Sequence, residues 1–182
     1  MLGFEDIIRI LLTGVSWGMI LFLIASGLSL ILGVMGILNL AHGSLYMIGA
    51  YLGLALLPVT GNFWIAALGS GLIVGLIGLL LERGFLKRLY KQFNEQVLLT
   101  LGFVYIFGNA ALWIWGSFPK LGSVPVGLDF SIPMGRLDFP VYRLALIAIG
   151  LGVALVLWWI QNRTRIGAIV RAGMDDREMV LG

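Results

Sequence analysis

The chain has 182 residues, 60% hydrophobic and 12% charged, with a net charge of +3 and a mean hydropathy of +1.03. A soluble domain carries about a quarter charged residues, whereas here Asp, Glu, Lys and Arg are absent from residues 10–81, 96–119 and 144–162; runs comparable to or longer than the roughly 20 residues needed to cross a bilayer exclude an ordinary soluble domain. With no Cys and one His, His42, disulfides, thiolate metal sites and a multi-histidine metal site within the chain are excluded too.

In hydrocarbon every backbone N–H and C=O must be satisfied by protein, so such runs become helices. The expected fold is all-α: one polytopic transmembrane domain over residues 1–182, with about five spans, an interrupted second helix and an amphipathic segment at the end. The start, MLGFEDIIRI, has two acids and one Arg and lacks the basic opening of a secretory signal. The first apolar run is therefore read as a retained span, residues 10–33. Gly33 and Gly36 suggest a break before a second span at 37–57, and Pro58 to Asn62 a turn before a third at 63–82. A basic connection follows, RGFLKRLYKQFNE at 83–95. The fourth span is placed at 96–117 and the fifth at 141–160. The Pro/Gly-punctuated stretch 118–140 between them has two basic residues and two Asp.

Lys and Arg in short loops set orientation. Arg83, Lys87, Arg88 and Lys91 fall in one loop, and Arg163, Arg165, Arg171 and Arg177 follow the last span. Two spans separate these regions, so 83–95 and 163–182 are both expected to be cytoplasmic, with 118–140 outside. The N-terminus is external if residues 10–57 hold two full spans, and internal if 37–57 is re-entrant. Basic residues confined to loops beside apolar runs point to topology control, not nucleic-acid binding. Trp64, Trp113 and Trp115 fall at expected outer ends and Trp158 and Trp159 at an inner end, as interfacial rings prefer. Trp17 falls inside the first span and is expected to pack or line something.

Small residues recur every fourth position: Ala25, Ser29 and Gly33; Gly49 and Gly53; Ala67, Gly71 and Gly75. This spacing puts them on one helix face, where a second helix can approach closely. The chain has no GxxxxGK[ST] loop, no HExxH and no GxSxG. No acidic pair lies within a span, so His42 is the one candidate for an intramembrane proton site. Active transport would need energy from a partner.

The polar groups of the apolar half collect in GILNLAHGSLYMIGAY, residues 36–51. Asn39, His42, Gly43, Ser44 and Tyr46 open the second span, and His42, Tyr46 and Gly49 share a helical face. Two roles are open to them: hydrogen-bonding irregular backbone at a helix break, or touching a permeant molecule. Each requires a polar interior that a plain anchor does not need. At the other end, residues 164–182 are too charged to span. Ile166, Ile169 and Val170 lie at helical spacing among Arg165, Arg171, Asp175, Arg177 and Glu178. Asp175 followed three residues later by Glu178 resembles a capping box after a turn at Gly173. Such a helix can lie on the lipid surface or dock in a groove.

The run GLSLILGVMGILNLAHGSLYMIGAY, residues 27–51, resembles the N-terminal signature of bacterial branched-chain amino acid ABC transporter permeases. It is closer to the LivH type, with its NLAHG and YMIGAY, than to the LivM type. ERGFLKRL at 82–89, LLTLGFVYIFGNAALWIWG at 98–116 and RTRIGAIVRAGMDDREMVLG at 163–182 resemble further parts of that family. The resemblance implies a non-enzymatic permease subunit of a multi-pass bacterial inner-membrane importer for branched-chain or related small amino acids. It implies a second, LivM-like permease subunit, two cytoplasmic ATPase subunits that hydrolyse ATP, and an extracytoplasmic substrate-binding protein. No cofactor in this chain is implied. The segment 163–182 becomes the ATPase-coupling helix, with Ile166, Ile169 and Val170 as anchors and Arg165, Arg171 and Arg177 at an acidic rim. Permeases of this family are longer, with further spans after that segment, so the chain is expected to correspond to their N-terminal portion. Three alternatives stand beside this: the same permease type acting on urea or short amides, a passive channel or facilitator with 163–182 on lipid, and a structural fragment without transport. A membrane enzyme lacks a nucleophile–base pair or metal cluster.

Overall fold

A computed structural model describes residues 3–90, 92–122, 124–125, 127–134, 137–164 and 167. Five long helices appear in chain order: α1 (Phe4–Met35), α2 (His42–Thr60), α3 (Phe63–Gly84), α4 (Phe93–Trp115) and α5 (Val141–Arg163). Each is long and apolar enough to cross a membrane. The chain is thus a mostly helical, multi-pass membrane protein. Several helices outrun the charge-free runs, because charged residues mark the edge of hydrocarbon and not the end of a helix. α1 starts at Phe4, with Glu5 and Asp6 in its first turn, where carboxylates favour the positive end of the helix dipole.

The described residues pack as two bodies, one drawn from 35–123 and the other from 1–34 and 124–182. In the first, α2 and α3 form a tight antiparallel hairpin. Gly61, at φ 63°, ends α2 and donates to Leu57 O at 2.9 Å. Asn62 then caps α3, its Oδ1 accepting from Trp64 N–H at 2.9 Å and Ile65 N–H at 3.4 Å, which satisfies two orphan donors of the first turn. Gly49 faces Val74, Gly53 faces Ser70, and Gly69 faces Leu56. The row of α3 that meets α2 therefore holds Ala66, Ser70 and Val74, with Ala66 and Ser70 buried. At Gly71 and Gly75 an added Cβ would meet nothing within 4 Å.

A 3-10 turn, Leu86–Leu89, links α3 to α4. Leu86 is buried, and Phe85 meets Phe103 of α4 edge-on at 5.3 Å. Gln96 Nε2 donates to Leu89 O at 2.6 Å, and Tyr90 OH hydrogen-bonds the Glu82 carboxylate. Near the other end of α4, Tyr51 of α2 stacks on Trp115 at 5.1 Å.

In the second body α1 and α5 run in the same direction. Arg143 Nη1 donates to Thr13 Oγ1 at 2.9 Å. Further along, Gly150 leaves space for Met19, whose sulfur would lie 2.8 Å from any Cβ at that position. Beyond this point Phe22, Ser29 and Gly33 of α1 and Ala154, Trp158 and Gln161 of α5 line a groove of about 530 Å³. Residue numbers rise together on both helices, which is the mark of a parallel pair. Trp17, expected to pack or line something, is 62% exposed in this chain. An unexpected feature precedes α5: Ser131–Met134 (β1) and Leu137–Pro140 (β2) pair antiparallel, with Ile132 opposite Phe139. Phe139 is buried while Asp138 is exposed, the alternation of a half-buried strand.

Gly53→Leu is expected to lower the melting temperature of the detergent-purified chain, since overpacking a closed seam costs about 1–3 kcal/mol. Gly71→Leu, at a position open in this chain, should leave it unchanged. Fluorescence-detected thermal melts of both variants check the assignment of the seam.

Candidate functional site

The polar stretch lies where the backbone leaves helical geometry. α1 ends at Met35 and α2 begins at His42, so the irregular segment precedes the second span, and α2 itself runs unbroken to Thr60. Gly36 has φ 60°, the left-handed conformation in which glycine avoids a Cβ clash. Ile37 and Ala41 are 1% exposed and Asn39 is 9% exposed. A non-helical strand of chain buried in this way must find partners for its own amides. Asn39 supplies them twice. Its Oδ1 accepts from Ala41 N–H at 3.0 Å, and its backbone carbonyl accepts from His42 N–H at 3.2 Å. Ala41 then occupies the N-cap position with no side-chain cap of its own, and its carbonyl takes the first helical bond, from Leu45 N–H at 2.9 Å.

The other residues of the stretch spread around α2. Leu45 and Ile48 are buried. His42 and Ser44 are half-buried, while Gly43 and Tyr46 are exposed. His42, Tyr46 and Gly49 share a face as the spacing requires, but in different settings: Gly49 lies in the seam with Val74 and Tyr46 is 54% exposed. At Gly43 an added Cβ would meet nothing within 4 Å. The stretch holds no Asp, Glu, Lys or Arg. It offers hydrogen-bonding groups and a phenol. Among the described residues no three His, Asp or Glu side chains gather as metal ligands.

The second candidate region begins at the end of α5. Arg165, Ile166, Ile169, Val170, Arg171, Asp175, Arg177 and Glu178 all lie outside the described residues. The junction that launches them is described. Thr164 is extended, at φ −119° and ψ 158°, which stops α5. Its hydroxyl donates to Ile160 O at 2.5 Å and accepts from Gly167 N–H at 3.2 Å. Accepting from the amide three residues on is the N-cap arrangement for a following helical turn. Gly167 folds back so closely that a Cβ would lie 2.1 Å from Gln161 O, a separation no side chain tolerates.

The signal for this joint was present in T-R-I-G, residues 164–167, a capping residue with glycine three positions later. It is a short pattern that charge and hydropathy conceal. Of the small-residue rows, Ala25, Ser29 and Gly33 lie along the groove of the α1–α5 pair, and Gly49 and Gly53 in the α2–α3 seam.

A family model described as branched-chain amino acid transport system / permease component matches residues 10–181. Neither the curated proteins nor the solved structures hold a match.

Asn39→Ala removes the acceptor for a buried amide and is expected to destabilise the chain by about 1–3 kcal/mol. Asn39→Asp, which keeps that acceptor, should recover most of the loss in a thermal melt. Gly167→Val is expected to alter the α5 junction, read as increased proteolytic cleavage after residue 163 with the melting temperature of the helical body unchanged.

Proposed function

Because the chain belongs to the branched-chain amino acid transport permease family, we propose that it is a LivH-type membrane subunit of an ABC importer for branched-chain or related small amino acids. The match over 10–181 carries this reading, since it runs through all five apolar helices and into the segment after α5. A permease component works with other subunits. Here they are a LivM-like permease, two cytoplasmic ATPases and an extracytoplasmic substrate-binding protein. The chain itself performs no chemistry; ATP hydrolysis belongs to the partners.

The proposed topology puts residues 83–95 and 163–182 in the cytoplasm of a bacterial inner membrane, with the β1–β2 hairpin and the N-terminus outside. Support comes from the charge of the loops and from the parallel α1–α5 pair. A parallel pair requires an odd number of crossings between its members. Three full spans, α2, α3 and α4, satisfy that; a re-entrant α2 would leave two. The proposed role of Asn39 is to hold irregular backbone beside the pathway, with His42, Gly43, Ser44 and Tyr46 in the first turns of α2 next to it. Ile166, Ile169 and Val170 dock into an ATPase groove, flanked by Arg165, Arg171, Asp175, Arg177 and Glu178. Thr164 and Gly167 support this by fixing how the chain leaves α5. Ala25, Ser29, Gly33, Gly71 and Gly75 are proposed as packing positions for other helices of the assembly.

Affinity purification in mild detergent from the host is expected to bring down a P-loop ATPase and a second permease. Substituting Ile169 and Val170 together with Asp should release the ATPase, keep the second permease, and lower ATP-dependent leucine uptake in proteoliposomes by at least about tenfold, the effect of some 1.4 kcal/mol. A folded chain that purifies without an ATPase and passes leucine down its gradient would make it a passive facilitator. His42→Ala should lower uptake while the ATPase stays bound; unchanged uptake and yield would remove any role for that side chain.

A further inference from the structure

Arg9 and Arg143 lie at the same end of the α1–α5 pair. Arg143 is the third residue of α5, and its Nη1 donates to Thr13 Oγ1 of α1 at 2.9 Å. Its Nε donates to Tyr142 OH at 3.4 Å, and its Cζ lies 6.0 Å from the Tyr142 ring centre. Arg9 stands one turn before Thr13 on the same face of α1. Its Nε is buried and has no hydrogen-bond partner. A guanidinium has five N–H donors, and the described partners of Arg143 take two.

No carboxylate among the described residues forms an ion pair with either arginine. The nearest acids in sequence are turned to other tasks or to solvent: Asp6 Oδ2 accepts Gly3 N–H at 3.1 Å, and Glu5 and Asp138 are exposed. The described residues thus supply no counter-ion to either guanidinium. Both side chains are half-buried and reachable from outside the pair. Arg9 is the last charge before the apolar run of α1, and Arg143 sits at the mouth of α5; both therefore lie at headgroup depth. Ile7, Ile10 and Leu11, on the other faces of the same turns of α1, are 46%, 54% and 61% exposed. At headgroup depth a lipid phosphodiester is the anion at hand, and its apolar tails meet this exposed apolar surface around α1.

We propose that Arg9 and Arg143, with Thr13 and Tyr142, form a binding site for the phosphodiester of a membrane phospholipid at this end of the α1–α5 pair. Arginine suits the role because its planar fork donates two parallel hydrogen bonds to phosphate oxygens. The lipid would tie α1 to α5 through a shared counter-ion. The site rests on the membrane reading alone and does not depend on the transported substrate.

The test is native mass spectrometry of the chain with its copurifying partners, extracted in mild detergent, then delipidated and incubated with phosphatidylglycerol micelles. Wild type is expected to retain a phospholipid adduct, and the double variant Arg9→Gln, Arg143→Gln to lose it by about tenfold in occupancy. The Arg9→Lys, Arg143→Lys variant keeps charge and fold but not the fork, and should fall between the two. Inorganic phosphate and leucine, each added in excess, should leave the adduct in place, and diacylglycerol with the same tails should not bind. Full occupancy in the Gln pair, or equal retention of diacylglycerol, would overturn the proposal. Displacement by phosphate or leucine would overturn the lipid in favour of a free-anion site. Size-exclusion profiles matching wild type establish that the Gln pair is folded; should it fail to fold, equal occupancy in wild type and the Lys pair would overturn the proposal.

Discussion

In a bilayer the backbone has no water to turn to, and every departure from helix must be answered by protein. The six residues between α1 and α2 make the largest such departure inside the apolar half of the chain. Asn39 answers it with one side-chain acceptor and one backbone acceptor, so the second span can start at His42. The seam of Gly49 and Gly53 with α3 depends on that starting register, because a helix begun one residue away would turn these glycines by about 100°. Packing of the α2–α3 hairpin and the presentation of His42 and Tyr46 thus trace back to a single amide.

The same rule explains how the polar residues within the spans are tolerated. Ser16, Ser26, Ser70, Thr100, Asn109 and Asn162 each donate to a carbonyl three or four residues back on their own helix, an internal solution that requires no neighbouring helix. Gln96 and Arg143 depart from it. Gln96 ties α4 to the carbonyl of Leu89, leaving its Oε1 buried and without a partner. Arg143 reaches across to Thr13. Both lie near helix ends, where polar groups cost least to hold.

Hydropathy and charge made the five helices legible in the sequence. Pro58 to Asn62 was readable as a turn between the second and third spans, but the turn is confined to Gly61 and Asn62, and Pro58 lies inside α2. The helix ends were less legible. α1 extends back to Phe4 and α2 starts five residues later than residue 37, because caps and local hydrogen bonds, not polarity, decide where a helix begins. The β1–β2 hairpin was hidden in a Pro/Gly-rich stretch whose two short strands carry only one buried aromatic, Phe139. For the small-residue rows, four-residue spacing identified α3 as a packing helix but not the row used against α2. Ala66–Ser70–Val74 and Ala67–Gly71–Gly75 are one position apart, and periodicity alone does not choose between neighbouring stripes. In the candidate site, the polar character of residues 36–46 was visible, but the Asn39–Ala41 bond was not, since Asn serves turns of many kinds. The Thr164–Gly167 joint is hard to see in the sequence because its glycine is demanded by a backbone carbonyl, Gln161 O, that sequence alone does not bring near.

The parallel pair has a mechanical side. Gly150 lets α5 rest against Met19 of α1 at a point nearer its start than its end. At about 1.5 Å per residue, the arm from Gly150 back to Val141 is roughly 14 Å and the arm forward to Arg163 roughly 20 Å. A rigid rod resting on such a fulcrum moves unequally. A tilt of α5 that shifts its Thr164 end by a few ångströms moves its start by less and in the opposite sense, while the space between α5 and α1 near Gln161 widens or narrows. The missing Cβ of a single glycine thereby sets the leverage of the whole helix.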